Sequence, residues 1–208
     1  LSPLARAAGQ SAAGAAAGAP DAAADVPISP AMTRLSVYMS EARSRALPPE
    51  VIETAKHHIL DTVAAMISGA ELPPGRAALR FAGEYMGEKA ATVVASKALC
   101  GPIEAALANG TLAHSDETDD SHGPSRAHPG AAVIPAALAM GEQYGIDGTH
   151  FLRAVVLGYD VGTRVLMAMG GPAYQTDTHR STHATAGTFC AAAAAGCAAS
   201  LDARQMRL

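Results

Sequence analysis

The sequence predicts an all-α protein, a compact bundle of helices that pack through small residues. Alanine and glycine dominate its 208 residues, and aromatic residues make up only 4%. Small residues let helices approach closely, whereas a β-sandwich needs many more Val, Ile, Tyr and Phe. Several stretches also repeat apolar residues at helical spacing, and a chain of this length can bury one sizeable core.

Composition also excludes several classes of function. The 15 basic and 19 acidic side chains make the protein mildly acidic, without the excess positive charge typical of nucleic-acid binding. No run of about 20 residues is apolar and uninterrupted enough for a bilayer, so we expect a soluble domain without membrane partners. Cys100, Cys190 and Cys197 are odd in number, and the last two lie in an alanine-rich run that favours free thiols. No disulfide framework is expected.

Residues 1–27 are predicted to form a disordered extension or the remnant of a leader. They are rich in Ala, Gly, Ser and Pro, and the chain does not begin with Met. The tripeptide Ala5-Arg6-Ala7 fits the small-x-small pattern of a signal-peptidase site, so export of the protein is one alternative. The helical domain is predicted over residues 28–208.

The first two helices follow from apolar periodicity. One covers residues 32–39, and the second is Pro49–Gly69, which has Pro in its first turn and Gly at its end. His57 and His58 interrupt the second helix and are interpreted as surface or hydrogen-bonded structural residues. One apolar stripe is predicted along this helix, made of Val51, Ile52, Ala55, Ile59, Val63, Ala64 and Ile67.

The remaining helices are predicted from the same periodicity together with capping residues. Residues 91–95 form a β-favouring run that is too brief to imply a sheet. Ser200 is predicted to cap one more helix beginning within residues 201–208, where no terminator occurs, so we expect the natural protein to continue. The predicted helices between these points are 76–85, one that starts at Pro102, 129–144, 148–169 with Asp147 as its N-cap, and 182–199.

The most informative segment lies between two apolar helices, from His114 to His128. Histidine titrates near neutral pH and arginine can hold a carboxylate, and proton abstraction and leaving-group protonation need such groups. The alternative is a helix-capping loop, in which Asp120 and Ser121 satisfy backbone donors. The chemically capable residues are His114, Asp116, Glu117, Asp119, Asp120, Ser121, His122, Arg126 and His128.

Neither a metal nor an organic cofactor is expected. His114, Asp116, His122 and His128 are possible ligands, but the His-x-Asp spacing cannot place both side chains on one helix face. Neither an H-E-x-x-H pair nor a Cys pair of the structural zinc type occurs. The glycines at positions 158–162 lack the spacing and the preceding strand of a phosphate-binding loop.

A second candidate region spans residues 174–189. It contains His179, Arg180, His183 and Thr185, just before or within the start of the last complete helix. A helix start offers free backbone N–H groups and the positive end of a dipole, so it can hold a substrate carboxylate. For His179 and Arg180, a plain surface loop is an equal alternative.

Three blocks of the sequence resemble the MmgE/PrpD family. Residues 49–65 form a helix with the family's Leu-Asp-x-x-small pattern, and residues 106–121, followed by His128-Pro129-Gly130, look like its signature stretch. Residues 182–189, which read Thr-His-Ala-Thr-Ala-Gly-Thr-Phe, resemble the next block. The resemblance covers about residues 35–208, and it implies the N-terminal part of the family's helical domain.

The resemblance implies that His128 and His183 line the active site as acid/base or carboxylate-binding groups. The expected catalytic set is His128, His183, Glu117 and Ser121. The family often has Asp at the position of Glu117, Thr at that of Ser121, and Pro after the histidine that corresponds to His183. Its catalytic lysine, tyrosine and further histidine come from sequence beyond residue 208. The expected substrate-binding residues are Asp116, Asp120, Arg126, Arg180 and Thr185.

The resemblance further implies a metal-independent lyase that acts on a citrate-like polycarboxylate. A 2-methylcitrate dehydratase-like hydro-lyase of propionate metabolism is the first expectation, in which a base removes a proton next to a carboxylate and an acid protonates the departing hydroxyl. A cis-aconitate-type decarboxylase and an amino- or imino-dicarboxylate epimerase are alternatives from the same family. A non-catalytic, truncated helical module is the alternative from another class. A cytoplasmic homodimer is also implied.

Overall fold

The computed structural model describes residues 27–85 and 87–207, so the predicted extension lies outside it apart from Pro27. Eight α-helices occupy the described part of the chain, beside one small sheet, and this confirms the all-α fold class. None of the described helices has the length and apolar character needed to cross a membrane. The helices are α1 Pro30–Glu41, α2 Pro49–Gly69, α3 Pro73–Glu84, α4 Pro102–Ala113, α5 Gly130–Tyr144, α6 Gly148–Ala168, α7 Pro172–Thr178 and α8 Thr182–Ala198.

The short β-favouring run does form a sheet, contrary to the sequence prediction. Strand β1 (Ala91–Thr92) pairs antiparallel with β2 (Leu99–Cys100), with Ala91 opposite Cys100. Asn109 of α4 stabilises this hairpin, because its side-chain oxygen accepts from Val94 N at 2.9 Å and its nitrogen donates to Thr92 O at 2.9 Å. A buried polar partner from a helix therefore compensates for the shortness of the strands.

The core is built around α6 and α8, which pack along most of their length. Gly158 and Gly162 of α6 face α8 so closely that a Cβ at position 158 would lie 2.9 Å from Cys190 O, and one at 162 would overlap the Cys190 sulfur. Cys190 and Cys197 are buried free thiols, and burial raises the pKa of Cys190 to about 12. They act as small apolar packing residues.

Helix α2 begins and ends where the sequence predicts, but its buried face is rotated from the predicted stripe. Ala64 and Ile67 are exposed, whereas Thr62, Met66 and Gly69 are buried. Position 69 faces α4 so closely that a Cβ there would overlap Leu112 O, and only glycine fits. Close helix contact selects small residues for the interface, and a count of apolar residues alone cannot detect that selection.

The predicted helix after Ser200 is wrong within the described residues. Ser200 adopts a left-handed conformation with φ of 56° and ends α8, with its N–H bonded to Cys197 O at 2.9 Å. Only a 3-10 turn, Gln205–Arg207, follows. Asp202 Oδ1 caps that turn by accepting from the backbone N–H groups of Arg204 and Gln205, both at 2.8 Å. Ser200 therefore serves as a helix terminator.

Two further differences from the prediction concern α3 and α7. Helix α3 begins at Pro73, three residues before the predicted start, because Pro is well suited to a first helical turn. Helix α7 was not predicted, since seven residues carry too little periodicity to be recognised. The N-cap at Asp147 is confirmed, because its Oδ1 accepts from His150 N at 2.8 Å.

Replacing Gly162 with Ala should lower the free energy of unfolding by about 1–3 kcal/mol, because the new methyl group overlaps Cys190 and the α8 backbone. Gly83→Ala is the matched control in a helix with free space, since nothing lies within 4 Å of its Cβ position. That change should raise stability by about 0.5–1 kcal/mol. Urea unfolding followed by circular dichroism measures both, and wild-type stability of Gly162→Ala would contradict the close α6–α8 packing.

Candidate active site

Three histidine rings from different parts of the chain meet on one side of the bundle. His114 follows α4 directly, His128 lies two residues before α5, and His183 lies in the first turn of α8. The ring centroids of His128 and His183 are 4.5 Å apart, those of His114 and His128 5.4 Å, and those of His114 and His183 6.4 Å. We call these three residues the histidine triad.

The first member of the triad is oriented by a buried carboxylate. His114 Nδ1 lies 3.0 Å from Asp119 Oδ1 and 3.2 Å from Oδ2, and the Asp119 side chain is fully buried. An ionised carboxylate only accepts hydrogen bonds, so the His114 proton is assigned to Nδ1. Nε2 is then the nitrogen that remains available to a ligand.

The second member is oriented by a backbone carbonyl. His128 Nδ1 donates to Asp120 O at 2.6 Å, and it also lies 3.9 Å from Asp119 Oδ1. Because a carbonyl can only accept, Nδ1 carries the proton and Nε2 carries the lone pair in the neutral ring. His128 is therefore prepared to exchange a proton through Nε2, as a general base or acid requires.

Residues 114–129 connect α4 to α5, and we call them the acidic loop. The carboxylate of Asp120 anchors this loop to three helices. Its Oδ1 accepts from Gly130 N of α5 at 2.8 Å, and its Oδ2 accepts from Tyr159 OH of α6 at 2.7 Å. His58 Nδ1 of α2 lies 3.1 Å from the same Oδ2. Burial, together with the Asp120 charge, raises the pKa of Tyr159 well above its ordinary value, so the phenol stays protonated and donates.

The third member of the triad is kept neutral. His183 is exposed as a whole residue, but partial desolvation of its ring lowers its pKa from 6.5, and repulsion by His128 and His114 lowers it further, against the opposing charges of Asp119 and Glu117. His183 is thus predominantly uncharged at pH 7. The first turn of α8, which carries it, is capped by Ser181, whose Oγ accepts from Ala184 N at 3.1 Å. The positive end of the α8 dipole therefore faces the same region as the histidine triad.

The predicted loop residues are placed differently around the triad. Glu117 and Ser121 are exposed, and Glu117 lies within electrostatic range of His183. Arg126 is exposed too, and its carbonyl accepts from Thr182 Oγ1 at 2.5 Å, which ties the loop to the start of α8. Both Glu117 and Arg126 have positive φ, 53° and 48°, so the loop turns sharply at these positions.

Asp116 is held away from the triad by its own contacts. Its Oδ2 accepts from Ser68 Oγ at 2.6 Å, and its Oδ1 accepts from Thr118 Oγ1 at 2.7 Å. The hydrogen bond from Ser68, followed by that from Thr118, lowers the pKa of Asp116. The carboxylate therefore fastens the start of the acidic loop to the end of α2.

The residues around the α7–α8 turn bond mainly to one another. Thr185 Oγ1 donates to Ser181 O at 2.9 Å and lies 3.4 Å from Tyr174 OH. Arg180 is exposed and follows His179, which ends α7 in a left-handed conformation with φ of 56°. This turn places Arg180 two residues before the start of α8, with the residue exposed.

The predicted site set contains His128 and His183 but lacks four residues that orient or complete the cluster of histidines. His114 and Asp119 lay inside the segment singled out above, and their spacing of five residues was the available signal. Tyr159 lies 39 residues from Asp120 along the chain, and His58 lies on another helix. No local sequence pattern predicts those two contacts, because they form only when the helices pack.

Two further observations describe the surroundings of the histidine triad. Within residues 27–85 and 87–207, no group of three or more His, Cys, Asp or Glu side chains is arranged to hold a metal ion. A cavity of about 370 Å³ is lined by His58 and Tyr159 and mostly by apolar atoms, but none of the triad borders it. Its polar lining also includes Glu50, His122 and Asp160.

Comparison with known proteins shows similarity to one family and to proteins named as cis-aconitate decarboxylases or decarboxylase-like. The family model described as the MmgE/PrpD N-terminal domain matches residues 33–207. The "Cis-aconitate decarboxylase-like protein oryM" of Aspergillus oryzae is 30% identical over 141 residues, which cover 64% of this chain and 29% of that protein. "Cis-aconitate decarboxylase" of Aspergillus terreus is 28% identical over 139 residues, covering 64% and 28%, and that of Homo sapiens is 30% identical over 125 residues, covering 58% and 26%. The chain spans less than a third of each of these relatives.

His183 should titrate below 6.5 in an NMR titration, and His128→Gln should raise its pKa part of the way back, because repulsion is the second cause after burial. His57→Gln, a change of the same type at an exposed position of α2, should leave the pKa of His183 unchanged. Since the folded state disfavours this proton, the contribution of His183 to stability is present above pH 6.5 and is lost as pH falls below it. An unchanged pKa in His128→Gln would contradict the coupling.

Proposed function

This chain belongs to the MmgE/PrpD family, and from that premise we propose that it forms part of a lyase acting on a citrate-like polycarboxylate. The observation that carries the proposal is the histidine triad, in which three imidazoles lie with ring centroids 4.5 to 6.4 Å apart. Decarboxylation of cis-aconitate is the favoured reaction, because the relatives compared carry that name. Dehydration of 2-methylcitrate is the second candidate, and none of those relatives is named for it.

A cluster of imidazoles suits a polyanionic substrate on electrostatic grounds. Protonated histidines repel one another at these distances, and this repulsion adds to desolvation in lowering the pKa of His183. Bound carboxylates would oppose that repulsion and favour the imidazolium forms. Substrate binding would therefore favour uptake of protons by the histidines from solvent, and a neutral ligand would not have this effect.

In the proposed decarboxylation, the bond between carbon and one carboxylate breaks and carbon dioxide leaves. The electron pair stays on the carbon skeleton, and a protonated histidine then delivers a proton to carbon. His128 is the proposed donor, since Asp120 O holds its Nδ1 proton and leaves Nε2 to exchange a proton with the substrate. In the alternative dehydration, the same nitrogen would act first as a base.

The remaining predicted residues are proposed to bind and organise the substrate. Arg126, Arg180 and the start of α8 carry positive charge or free N–H groups and suit carboxylates. Ser121 and Thr185 can add hydroxyl donors, and Glu117 is proposed to tune the protonation of His183. The carboxylates of Asp116 and Asp120 already accept donors from the protein, so we propose that they organise the loop.

Whole-protein properties are part of the same proposal, because the chain spans only 29% of the A. oryzae relative. Further catalytic groups are proposed to come from the rest of the polypeptide. A homodimer through the helical domain is also proposed. Large apolar side chains left exposed on α2 and α4 offer it a surface, namely Leu60, Ile67, Ile103 and Leu107.

A direct assay of the longest natural form of the protein tests the reaction. Cis-aconitate, 2-methylcitrate and citrate are offered separately, and the absorbance of unsaturated tricarboxylates is followed. Loss of cis-aconitate with release of carbon dioxide is expected. New absorbance from 2-methylcitrate would instead establish the dehydratase. A folded protein that turns over none of the three would contradict the proposal and favour an epimerase or a non-catalytic module.

Replacing His128 with Ala should lower turnover by about 10²–10⁴-fold, the usual contribution of a general acid or base. His57→Gln should leave turnover unchanged, because His57 is exposed on α2 and outside the triad. Circular dichroism establishes that both variants fold. Wild-type turnover by a folded His128→Ala protein would remove this residue from the mechanism.

A further inference from the structure

The placement of His128 depends on Asp120 at two points. The ring is fixed because its Nδ1 donates to Asp120 O at 2.6 Å. The backbone two residues later is fixed because Gly130 N donates to Asp120 Oδ1 at 2.8 Å. Any movement of Asp120 would therefore shift both the ring and the main chain that carries it.

Asp120 itself is held mainly by Tyr159, from the middle of α6. Tyr159 OH donates to Asp120 Oδ2 at 2.7 Å, and His58 Nδ1 lies 3.1 Å from the same oxygen. The Asp120 side chain is only 8% exposed, whereas that of His58 is 40% exposed. A buried carboxylate needs its donors, and the half-buried Tyr159 donates a hydrogen bond to Asp120, whereas the more exposed imidazole only lies near it.

We propose that Tyr159 is a positioning residue for His128, acting through the carboxylate of Asp120, with His58 as a secondary support. This inference rests on the proposed role of His128 as the acid/base group. The hydrogen bond of the Tyr159 side chain goes to Asp120, so its proposed effect on His128 passes through that residue. It fixes which nitrogen of His128 is protonated and where that nitrogen points.

The space beside Gly130 is filled by the groups that surround the Asp120 carboxylate. A Cβ at position 130 would lie 2.5 Å from Thr62 Oγ1, 2.7 Å from Asp120 Oδ1 and 2.9 Å from Tyr159 OH. Only glycine fits there, so the start of α5 can approach closely enough for Gly130 N to donate to Asp120 Oδ1. Loss of the phenol hydroxyl would open a gap beside Asp120 Oδ2, into which the carboxylate and the attached carbonyl can turn.

The phenol acts as a fixed donor and takes no part in proton transfer. Burial raises the pKa of Tyr159 far above the range in which enzymes work, so it does not ionise. A purely structural role and a positioning role therefore predict different results. Loss of a structural hydrogen bond alters stability, whereas loss of a positioning contact alters the tautomer of His128 and the turnover number.

The test is Tyr159→Phe in the longest natural form of the protein, with Tyr38→Phe as the matched control. Tyr38 OH also donates to a carboxylate, Asp160 Oδ2, at 2.8 Å, but not to Asp120. Tyr159→Phe should lower kcat by about 10–100-fold, the scale expected for a slightly misplaced catalytic group, with little change in KM. Tyr38→Phe should retain wild-type kcat.

The second readout is the tautomer of His128, measured by ¹⁵N NMR at a pH where the ring is neutral. The wild-type protein should hold the proton on Nδ1, and Tyr159→Phe should shift a measurable fraction to Nε2. An Nδ1 tautomer retained in Tyr159→Phe would overturn the proposal whatever the kinetics show. If wild-type protein turns over no polycarboxylate, the proposed function fails, but the tautomer measurement still decides the positioning role.

A second pair of variants covers the case in which Tyr159→Phe does not fold. His58→Gln removes the other side-chain neighbour of Asp120 Oδ2, and His57→Gln is its adjacent control on the same helix. His58→Gln should shift the His128 tautomer in the same direction by a smaller amount, and His57→Gln should not. Identical His128 spectra for the two variants would overturn the supporting role of α2.

Discussion

Burial of two neighbouring carboxylates, Asp119 and Asp120, is the constraint on which the rest of the site depends. Two adjacent acidic side chains can leave water only if each finds enough donors, because an unpaired buried charge is strongly destabilising. Asp119 finds His114, and Asp120 finds Gly130 and Tyr159, with His58 beside it. The conformation in which the acidic loop meets both demands also places two members of the triad, His114 and His128.

Packing through small residues brings the third histidine to this loop. Gly158 and Gly162 allow α6 to lie against α8 at backbone distance, so α8 begins beside the loop that α6 anchors. Thr182 closes the connection by donating to Arg126 O at 2.5 Å. The same α6 therefore supplies the close packing for α8 and, through Tyr159, the anchor for Asp120. The packing of α6 in the core therefore also determines the geometry of the site.

The electrostatics of the triad connect the structure to the proposed chemistry. Desolvation lowers the pKa of His183, and repulsion by the neighbouring His128 and His114 lowers it further. A site of this kind is poorly adapted to a neutral or cationic ligand, because neither would relieve the repulsion. A substrate with several carboxylates would relieve it, which agrees with the cis-aconitate decarboxylase name of the relatives compared here.

The all-α fold class, the bounds of α2, the cap at Asp147 and the resemblance to the family could be predicted from the amino-acid sequence. These follow from periodicity, caps and motifs, which are encoded within a few neighbouring residues. The rotation of α2, the end of α8 at Ser200 and the contact of Tyr159 with Asp120, 39 residues away, became visible in the folded structure alone. Such features depend on which surfaces meet when helices pack, and close packing is a property of the whole fold rather than of any local segment.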